Sequence, residues 1–273
     1  MSIKSILAHV DDNAQESAAL KTSIELARQH GADLSGFYVL PPLVASYPAA
    51  EMGNAVLDTL PEFEWERARQ AEQVFQQVMA EAGMTADWQS VESSALETLK
   101  TKACCSDLIV VGQDGGPDDI TPLRARIIDA ALLNTGRPVL TVPQSVNTVG
   151  KRVMLAWKAT REAARALSDS MSMLQQAQHV DVVMITAPEV EEKHLTAIDV
   201  CKHLKRHGIR AEFQRLNSGT PHISDLLLDH AAERETDMLI LGAYGHSMLR
   251  EMVLGGITKT LIKTSPVALF LSH

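Results

Sequence analysis

A glycine-rich stretch near the carboxyl end of the chain contains residue types that hold phosphate groups. It runs from Gly242 to Thr258, after a predicted strand and into a predicted helix. Glycine lets backbone N–H groups approach phosphate oxygens, and a helix that begins there adds further N–H groups and a positive dipole end. We therefore predict an anion-binding loop, unless the glycines only shape a tight strand-to-helix turn. Its predicted contact residues are Gly242, Gly245, His246, Gly255, Gly256, Ile257 and Thr258.

Two residues at strand ends are further candidates, because parallel α/β sheets bind ligands beyond the carboxyl ends of their strands. Asp11 follows the first apolar strand, and Lys158 follows its counterpart in the second half. Lysine cannot accept a hydrogen bond, so Lys158 either reaches a phosphate or lies on the rim. The matching loop of the first half repels phosphate, and we expect Asp11 to be a turn or helix-capping residue. The repelling carboxylates are Asp114, Asp118 and Asp119.

The chain repeats its own pattern, which indicates a duplicated unit. Strand-like and helix-like segments alternate within each half, and the strand at 107–112 and its counterpart at 237–242 are nearly continuous apolar runs. Such runs are typical of a parallel sheet covered on both faces. Three landmarks recur in the same order: 6–11 and 153–158, 107–112 and 237–242, 136–142 and 264–270.

These observations predict an α/β protein made of two tandem Rossmann-like domains. Each domain is expected to be a five-stranded parallel sheet with helices on both faces. The predicted domains are residues 1–145 and residues 151–273, and the polar segment 144–150 is the predicted linker.

The order strand, Gly-x2-Gly-x9-Gly, helix and Pro-Val strand resembles the universal stress protein family, once per half and over nearly the whole chain. The family's nucleotide binders carry Gly-x2-Gly-x9-Gly-[Ser/Thr], whereas Gly256 stands at the hydroxyl position here. The resemblance implies a stress-response protein that binds or senses ATP, with Mg²⁺ as an optional companion, in its second domain. In those binders an Asp after the first strand contacts the adenosine portion; Asp11 keeps this residue type and Lys158 does not.

The net charge and the composition limit the classes of partner that the protein is expected to bind. The 273-residue chain has a formal net charge of −9, whereas nucleic acids and anionic membranes need a basic surface. No stretch approaches the roughly 20 apolar residues of a membrane-spanning helix. Its cysteines, Cys104, Cys105 and Cys201, give an odd count with two neighbours, so they imply no disulfide framework. We expect a soluble, reduced, cytoplasmic protein whose ligand is a small molecule.

The histidine pair at 203 and 207 is a weaker candidate for a functional site. His203 and His207 lie four apart on a predicted helix and could share a face, as metal ligands do. Lys202, Lys205 and Arg206 lie beside them and repel a cation, so we predict a solvated basic face and no metal site. No nucleophile–base set accompanies these residues, and we predict no catalytic residue.

Three interpretations of function stay open: a nucleotide-binding or sensing protein, an interaction scaffold of the same fold without nucleotide, and a slow ATPase for which no general base is identifiable.

The terminal strands at 138–142 and 266–271 match the edges through which family dimers usually pair. We expect the two halves to pair there within one chain, which would cover exposed strand edges. A further homodimer is left open.

Overall fold

The computed structural model describes residues 2–11, 15–40, 54–92, 96–113, 123–186, 194–217, 222–244 and 256–273. The described chain separates into two compact units, residues 3–137 and residues 138–273, which we call the first and the second unit. Six residues named above lie outside the described ranges: Asp114, Asp118, Asp119, Gly245, His246 and Gly255.

The first unit contains a parallel sheet in the order β3-β2-β1-β4. Ser5 lies opposite Asp33 and Ile6 opposite Leu108, so β1 pairs with both β2 and β4. Its strands are β1 (Ser5–His9), β2 (Asp33–Leu40), β3 (Asp87–Glu92) and β4 (Leu108–Gly112). Its helices are α1 (Ala18–His30), α2 (Asn54–Glu81), α3 (Leu96–Ala103) and α4 (Leu123–Asn134).

The second unit contains a sheet in the order β5-β10-β9-β6-β7-β8. All its pairs are parallel except β5 with β10, in which Phe270 lies opposite Leu140. Its strands are β5 (Val139–Val142), β6 (Arg152–Ala156), β7 (His179–Thr186), β8 (Glu212–Asn217), β9 (Met238–Gly242) and β10 (Ala268–Ser272). Its helices are α5 (Arg161–Asp169), α6 (Met171–Leu174), α7 (His194–Arg206), α8 (Ile223–Glu233) and α9 (Ile257–Thr264).

The helices form where apolar residues recur at helical spacing. In α2 the buried residues Ala68, Ala71, Phe75 and Met79 follow one another at intervals of three or four, which places them on one face against the sheet. The central strands β4 and β9 show a continuous apolar run and no alternation of polar and apolar residues, because four consecutive residues of each are buried.

The repeat seen in the sequence is present in the hydrogen bonds of both units. Asp107, just before β4, accepts a hydrogen bond from the Lys4 backbone N–H at 2.7 Å, and Asp237, just before β9, accepts one from the Lys151 backbone N–H at 3.0 Å. Each carboxylate ties the beginning of one strand to the beginning of its neighbour. Burial raises the pKa of Asp237, although hydrogen bonds from backbone N–H groups oppose the shift.

The α/β, Rossmann-like fold is confirmed, with one difference in detail. β5, which the prediction assigned to the first half, clusters with the second unit and runs antiparallel to β10. The two terminal strand segments therefore do pair with each other. The predicted domain limits stay a prediction. Within the described ranges, every helix is too short or too polar to span a membrane.

Candidate functional site

The strand order of the second unit reverses between β6 and β9. From β6 the chain proceeds outward through β7 and β8, and from β9 it proceeds the other way to β10. Parallel sheets leave a ligand-binding crevice at the carboxyl ends of the strands on either side of such a reversal. We call this place the β6–β9 crevice; it is bounded by Lys158 after β6, by Gly242 at the end of β9, and by the first turn of α5.

Gly242 lies in direct contact with the backbone of α5. A Cβ atom on Gly242 would lie 2.5 Å from the backbone nitrogen of Ala163 and 2.5 Å from the carbonyl carbon of Glu162. Distances this short are not tolerated, so only glycine allows α5 to pack on the end of β9. Packing therefore accounts for the glycine, and the predicted contact of Gly242 with a phosphate stays a prediction.

The first turn of α5 places a glutamate beside the end of β9. Thr160 caps the helix, since its side-chain oxygen accepts a hydrogen bond from the Ala163 backbone N–H at 3.3 Å. Glu162 is only 7% exposed, and Arg161 Nε donates to its Oε1 at 3.1 Å. Burial raises the pKa of Glu162, but hydrogen bonds from its own backbone N–H, from Arg161 and from Thr160 outweigh that effect, so the pKa is lowered. Glu162 is therefore ionised at neutral pH.

Trp157 and Lys158 form the other side of the crevice. The backbone N–H of Trp157 donates to the Val183 carbonyl at 2.7 Å and so extends the pairing of β6 with β7. The indole Nε1 of Trp157 is buried and has no hydrogen-bond partner among the described residues. Lys158 is exposed, and its carbonyl accepts a hydrogen bond from the Thr160 N–H at 2.6 Å. Trp157 was not predicted from the sequence; an aromatic residue directly after a strand at the reversal point was the available signal.

The chain leaves β9 through a constrained conformation. Tyr244 is buried and has a φ of 55°, which a bulky side chain rarely adopts. Its ring lies edge-on to that of His273, with centroids 6.4 Å apart, while the Ala243 N–H donates to the Ser272 carbonyl at 2.8 Å. Backbone strain of this kind is concentrated at functional sites.

Helix α9 begins without a side-chain cap. Its N-cap residue is Gly256, which has φ −55° and ψ 142° and makes no side-chain hydrogen bond to the helix. Ile257 is exposed, whereas Thr258 is only 4% exposed and lies on the buried face with Leu261 and Ile262. The backbone of this turn suits an anion, while the buried Thr258 hydroxyl is poorly placed to reach one. The predicted contacts of Gly256, Ile257 and Thr258 stay predictions.

The equivalent β1–β4 crevice of the first unit holds an ion pair. Arg124, in the first turn of α4, donates a hydrogen bond from Nη2 to Asp11 and from Nη1 to the Gln113 carbonyl, the latter at 2.7 Å. Asp11 is not the residue that caps α1, and its alternative predicted role, in a turn, stays a prediction. Ser17 caps α1 instead, because its Oγ accepts from the Leu20 N–H at 3.3 Å.

The histidine pair and the cysteines are the remaining candidates. His203 and His207 do share a face of α7, with ring centroids 4.7 Å apart. The described part of the chain contains no group of three or more residues that could hold a metal ion. Cys104, Cys105 and Cys201 are free thiols, and burial raises the pKa of Cys201.

Comparisons with known proteins agree with this architecture. Residues 151–273 match the model of the universal stress protein family. A universal stress protein of Mycolicibacterium smegmatis is 29% identical over 111 residues, which cover 40% of this chain and only 38% of that relative. The crystal structure of a universal stress protein from Archaeoglobus fulgidus has a TM-score of 0.72 at 17% identity, over 98% of this chain and 97% of that one. A putative universal stress protein from Pseudomonas aeruginosa has a TM-score of 0.62 at 16% identity, over 99% and 93% of the two chains. At these identities the structural similarity establishes the fold.

Proposed function

We propose that the second unit, whose residues 151–273 match the model of the universal stress protein family, binds an adenine nucleotide in the β6–β9 crevice, with ATP as the main candidate. The observation that carries the proposal is the start of α9. The first N–H groups of a helix have no partner within the helix. In α1 and α5 a hydroxyl group of Ser17 or Thr160 accepts from one of them, whereas Gly256 offers α9 no side chain. A phosphate at this helix start would supply an acceptor for these N–H groups.

Local charge supports an anionic ligand at this place. Lys259, in the first turn of α9, and Lys158, beside the end of β6, are both exposed. The net charge of −9 does not oppose this, because it describes the whole chain and a small site can be locally basic. In the first unit, the cation in the crevice already has a carboxylate partner, since Arg124 is paired with Asp11. We therefore expect one nucleotide per chain.

Isothermal titration of the full chain with ATP and Mg²⁺ tests the proposal. We expect one site per chain, which Gly256→Val abolishes while the circular dichroism spectrum is retained. The φ and ψ of Gly256 are open to valine, so the loss would come from the side chain near the ligand. Aligned without a gap from Asp107 and Asp237, Arg126 occupies the position of Gly256 in the first unit. Arg126→Val is therefore the matched control and should leave binding unchanged.

Two equal sites per chain would contradict the assignment to the second unit alone. Absence of both heat and a thermal shift at millimolar ATP and Mg²⁺ would contradict nucleotide binding altogether.

The second candidate function is an interaction scaffold of the same fold without nucleotide. Three observations favour it: Gly256 lacks a hydroxyl, the Thr258 hydroxyl lies on a buried face, and Lys158 replaces a carboxylate. The titration separates the two candidates, because a scaffold would show no response to ATP in either the wild type or the Gly256→Val variant. The stress-response role, the cytoplasmic location and a further homodimer stay proposals under either function.

A further inference from the structure

A buried carboxylate lies beside the end of β9, on a residue that the motif does not include. A Cβ atom built on Gly242 would lie 2.8 Å from the Cβ of Glu162, so the Glu162 side chain begins at the floor of the β6–β9 crevice. The residue is 7% exposed. A group in this position contacts whichever part of a ligand reaches the carboxyl end of β9.

The first unit has no carboxylate at the matching position. Ala19 stands two residues after the N-cap Ser17, as Glu162 stands two residues after the N-cap Thr160. The Cβ of Ala19 faces Gly112 at the end of β4 in the same way, at 3.9 Å from a Cβ built there. The two helices thus present alanine to one crevice and glutamate to the other.

The element that supplies the carboxylate differs between the two crevices. In the first, the carboxylate follows the strand, as Asp11, and is paired with Arg124. In the second, Lys158 follows the strand, and the carboxylate comes from the helix as Glu162. The second crevice therefore has a side-chain hydrogen-bond acceptor in Glu162, although the residue after β6 is Lys158, which cannot accept.

The chemistry of Glu162 suits a ligand group that donates hydrogen bonds. An ionised carboxylate only accepts, at about four lone-pair positions. Arg161 Nε donates to one of these positions, on Oε1. The Arg161 side chain is 81% exposed and that of Glu162 only 9%, so the guanidinium can move into water and leave the carboxylate to a ligand. A phosphate would be repelled here, whereas a ribose hydroxyl or an exocyclic amine would be accepted.

We infer that Glu162 accepts a hydrogen bond from the nucleoside end of the bound nucleotide and thereby directs the phosphates away from β9, toward the start of α9. The inference rests on the proposed function. It also gives Gly242 a role different from the predicted one: the glycine admits the helix that carries the acceptor, and the phosphates lie elsewhere.

Titrations with ATP and with inorganic tripolyphosphate test the inference. Glu162→Gln and Glu162→Ala should weaken ATP binding about tenfold or more, because a hydrogen bond to a charged acceptor is lost. Tripolyphosphate has no nucleoside, so its affinity should be unchanged or increased. Asp225→Asn removes a first-turn carboxylate from α8 in the same unit and serves as the control. Thermal melting of each variant checks that α5, which Glu162 helps to cap, is still folded.

The result separates the inference from the function on which it rests. If the wild type binds ATP and Gly256→Val does not, but both Glu162 variants bind within twofold of the wild type, the inference is wrong and the proposed function stands. If the wild type binds no ATP, the proposed function itself fails. Equal loss of ATP and tripolyphosphate in the Glu162 variants would also overturn the inference, since it would indicate a general disturbance of the crevice.

Two analogues identify the donor. Binding of 2′,3′-dideoxy-ATP should be insensitive to Glu162→Gln if a ribose hydroxyl is the donor, and binding of inosine triphosphate should be insensitive if it is the exocyclic amine. A full effect of Glu162→Gln on both analogues would contradict a direct contact with the nucleoside.

Discussion

The two crevices of this protein are built on corresponding strands and helices of the two units. They differ in the partners of their charged side chains. In the β1–β4 crevice a cation from α4 and a carboxylate after β1 neutralise each other, through the ion pair of Arg124 with Asp11. In the β6–β9 crevice the carboxylate of Glu162 is held by its own helix end, and α9 begins at a glycine with no side chain to cap it. The first crevice contains an internal ion pair, whereas among the described residues no side chain caps the helix that begins at the second.

The comparison teaches that a duplicated fold can keep its framework while the charged residues of its two crevices differ. The framework contacts recur in both units: Asp107 and Asp237 each tie two strand beginnings together, and Ser17 and Thr160 each cap the helix after the first strand. These residues act on stability and would be retained with or without a ligand. The exchanges of Asp11 for Lys158 and of Ala19 for Glu162 lie at the carboxyl ends of the strands, where α/β sheets bind their ligands.

The largest expected effect concerns the glycines at the ends of β4 and β9. Gly242→Ala should lower the free energy of unfolding by about 1–3 kcal/mol, because the added methyl group overlaps the backbone of α5. The matched variant Gly112→Ala should change it by less than about 0.5 kcal/mol, since its nearest neighbours lie 3.9 Å away. Urea denaturation of both variants measures the difference. Loss of ATP binding by Gly242→Ala at unchanged stability would instead mean that the glycine serves the ligand.

The sequence was sufficient for the elements that depend on local pattern. The apolar runs predicted at 107–112 and 237–242 are strands at Leu108–Gly112 and Met238–Gly242, because a continuous apolar run between polar turns has few other structures available. The pairing of β5 with β10 was expected from the family resemblance and not from composition, since hydrogen bonds between strand backbones leave little trace in side-chain type.

The charges of the two sites were less predictable than the strands. Asp11 and Arg124 are separated by 113 residues in sequence, and only the fold brings them together. Glu162 was missed because a glutamate in the first turn of a helix is ordinary; its burial against Gly242 distinguishes it. The glycine motif itself was visible, but the residues that decide what binds beside it come from other elements.

The ion pair in the first crevice provides the second prediction. Arg124→Met should lower the free energy of unfolding by about 1 kcal/mol, because it leaves the partly buried Asp11 without its cation. Arg126→Met, at an exposed position on the same helix, should have almost no effect and is the control. The number of ATP sites should remain one per chain. Equal stability of the two variants in urea denaturation would show that Arg124 does not hold Asp11.

The third prediction uses pH to separate Glu162 from its neighbours. The pKa of Glu162 is lowered from 4.5 in the folded protein, so its ionised form stabilises the fold above that pH, and this contribution is lost as the pH falls through the lowered pKa. The difference in free energy of unfolding between the wild type and Glu162→Gln should therefore be largest near neutral pH and should shrink below about pH 4. Denaturation curves at several pH values measure it. A difference that persisted undiminished in acid would point to packing and not to charge.

The smallest effect is expected at the start of α9, where the comparison with α1 is most direct. Gly256 has φ −55° and ψ 142°, close to the φ −59° and ψ 115° of Ser17, which caps α1 through its hydroxyl. Gly256→Ser should therefore raise the free energy of unfolding by about 0.5 kcal/mol, from the added cap and from the lower flexibility of serine in the unfolded chain. A serine hydroxyl at this position would also compete with a phosphate for the same N–H groups unless it contacts the phosphate itself. Titration with ATP decides between these outcomes: weaker binding means that the bare helix end is the anion site, stronger binding means that the hydroxyl joins it, and unchanged binding with raised stability would place the phosphates away from α9 and overturn the proposed geometry.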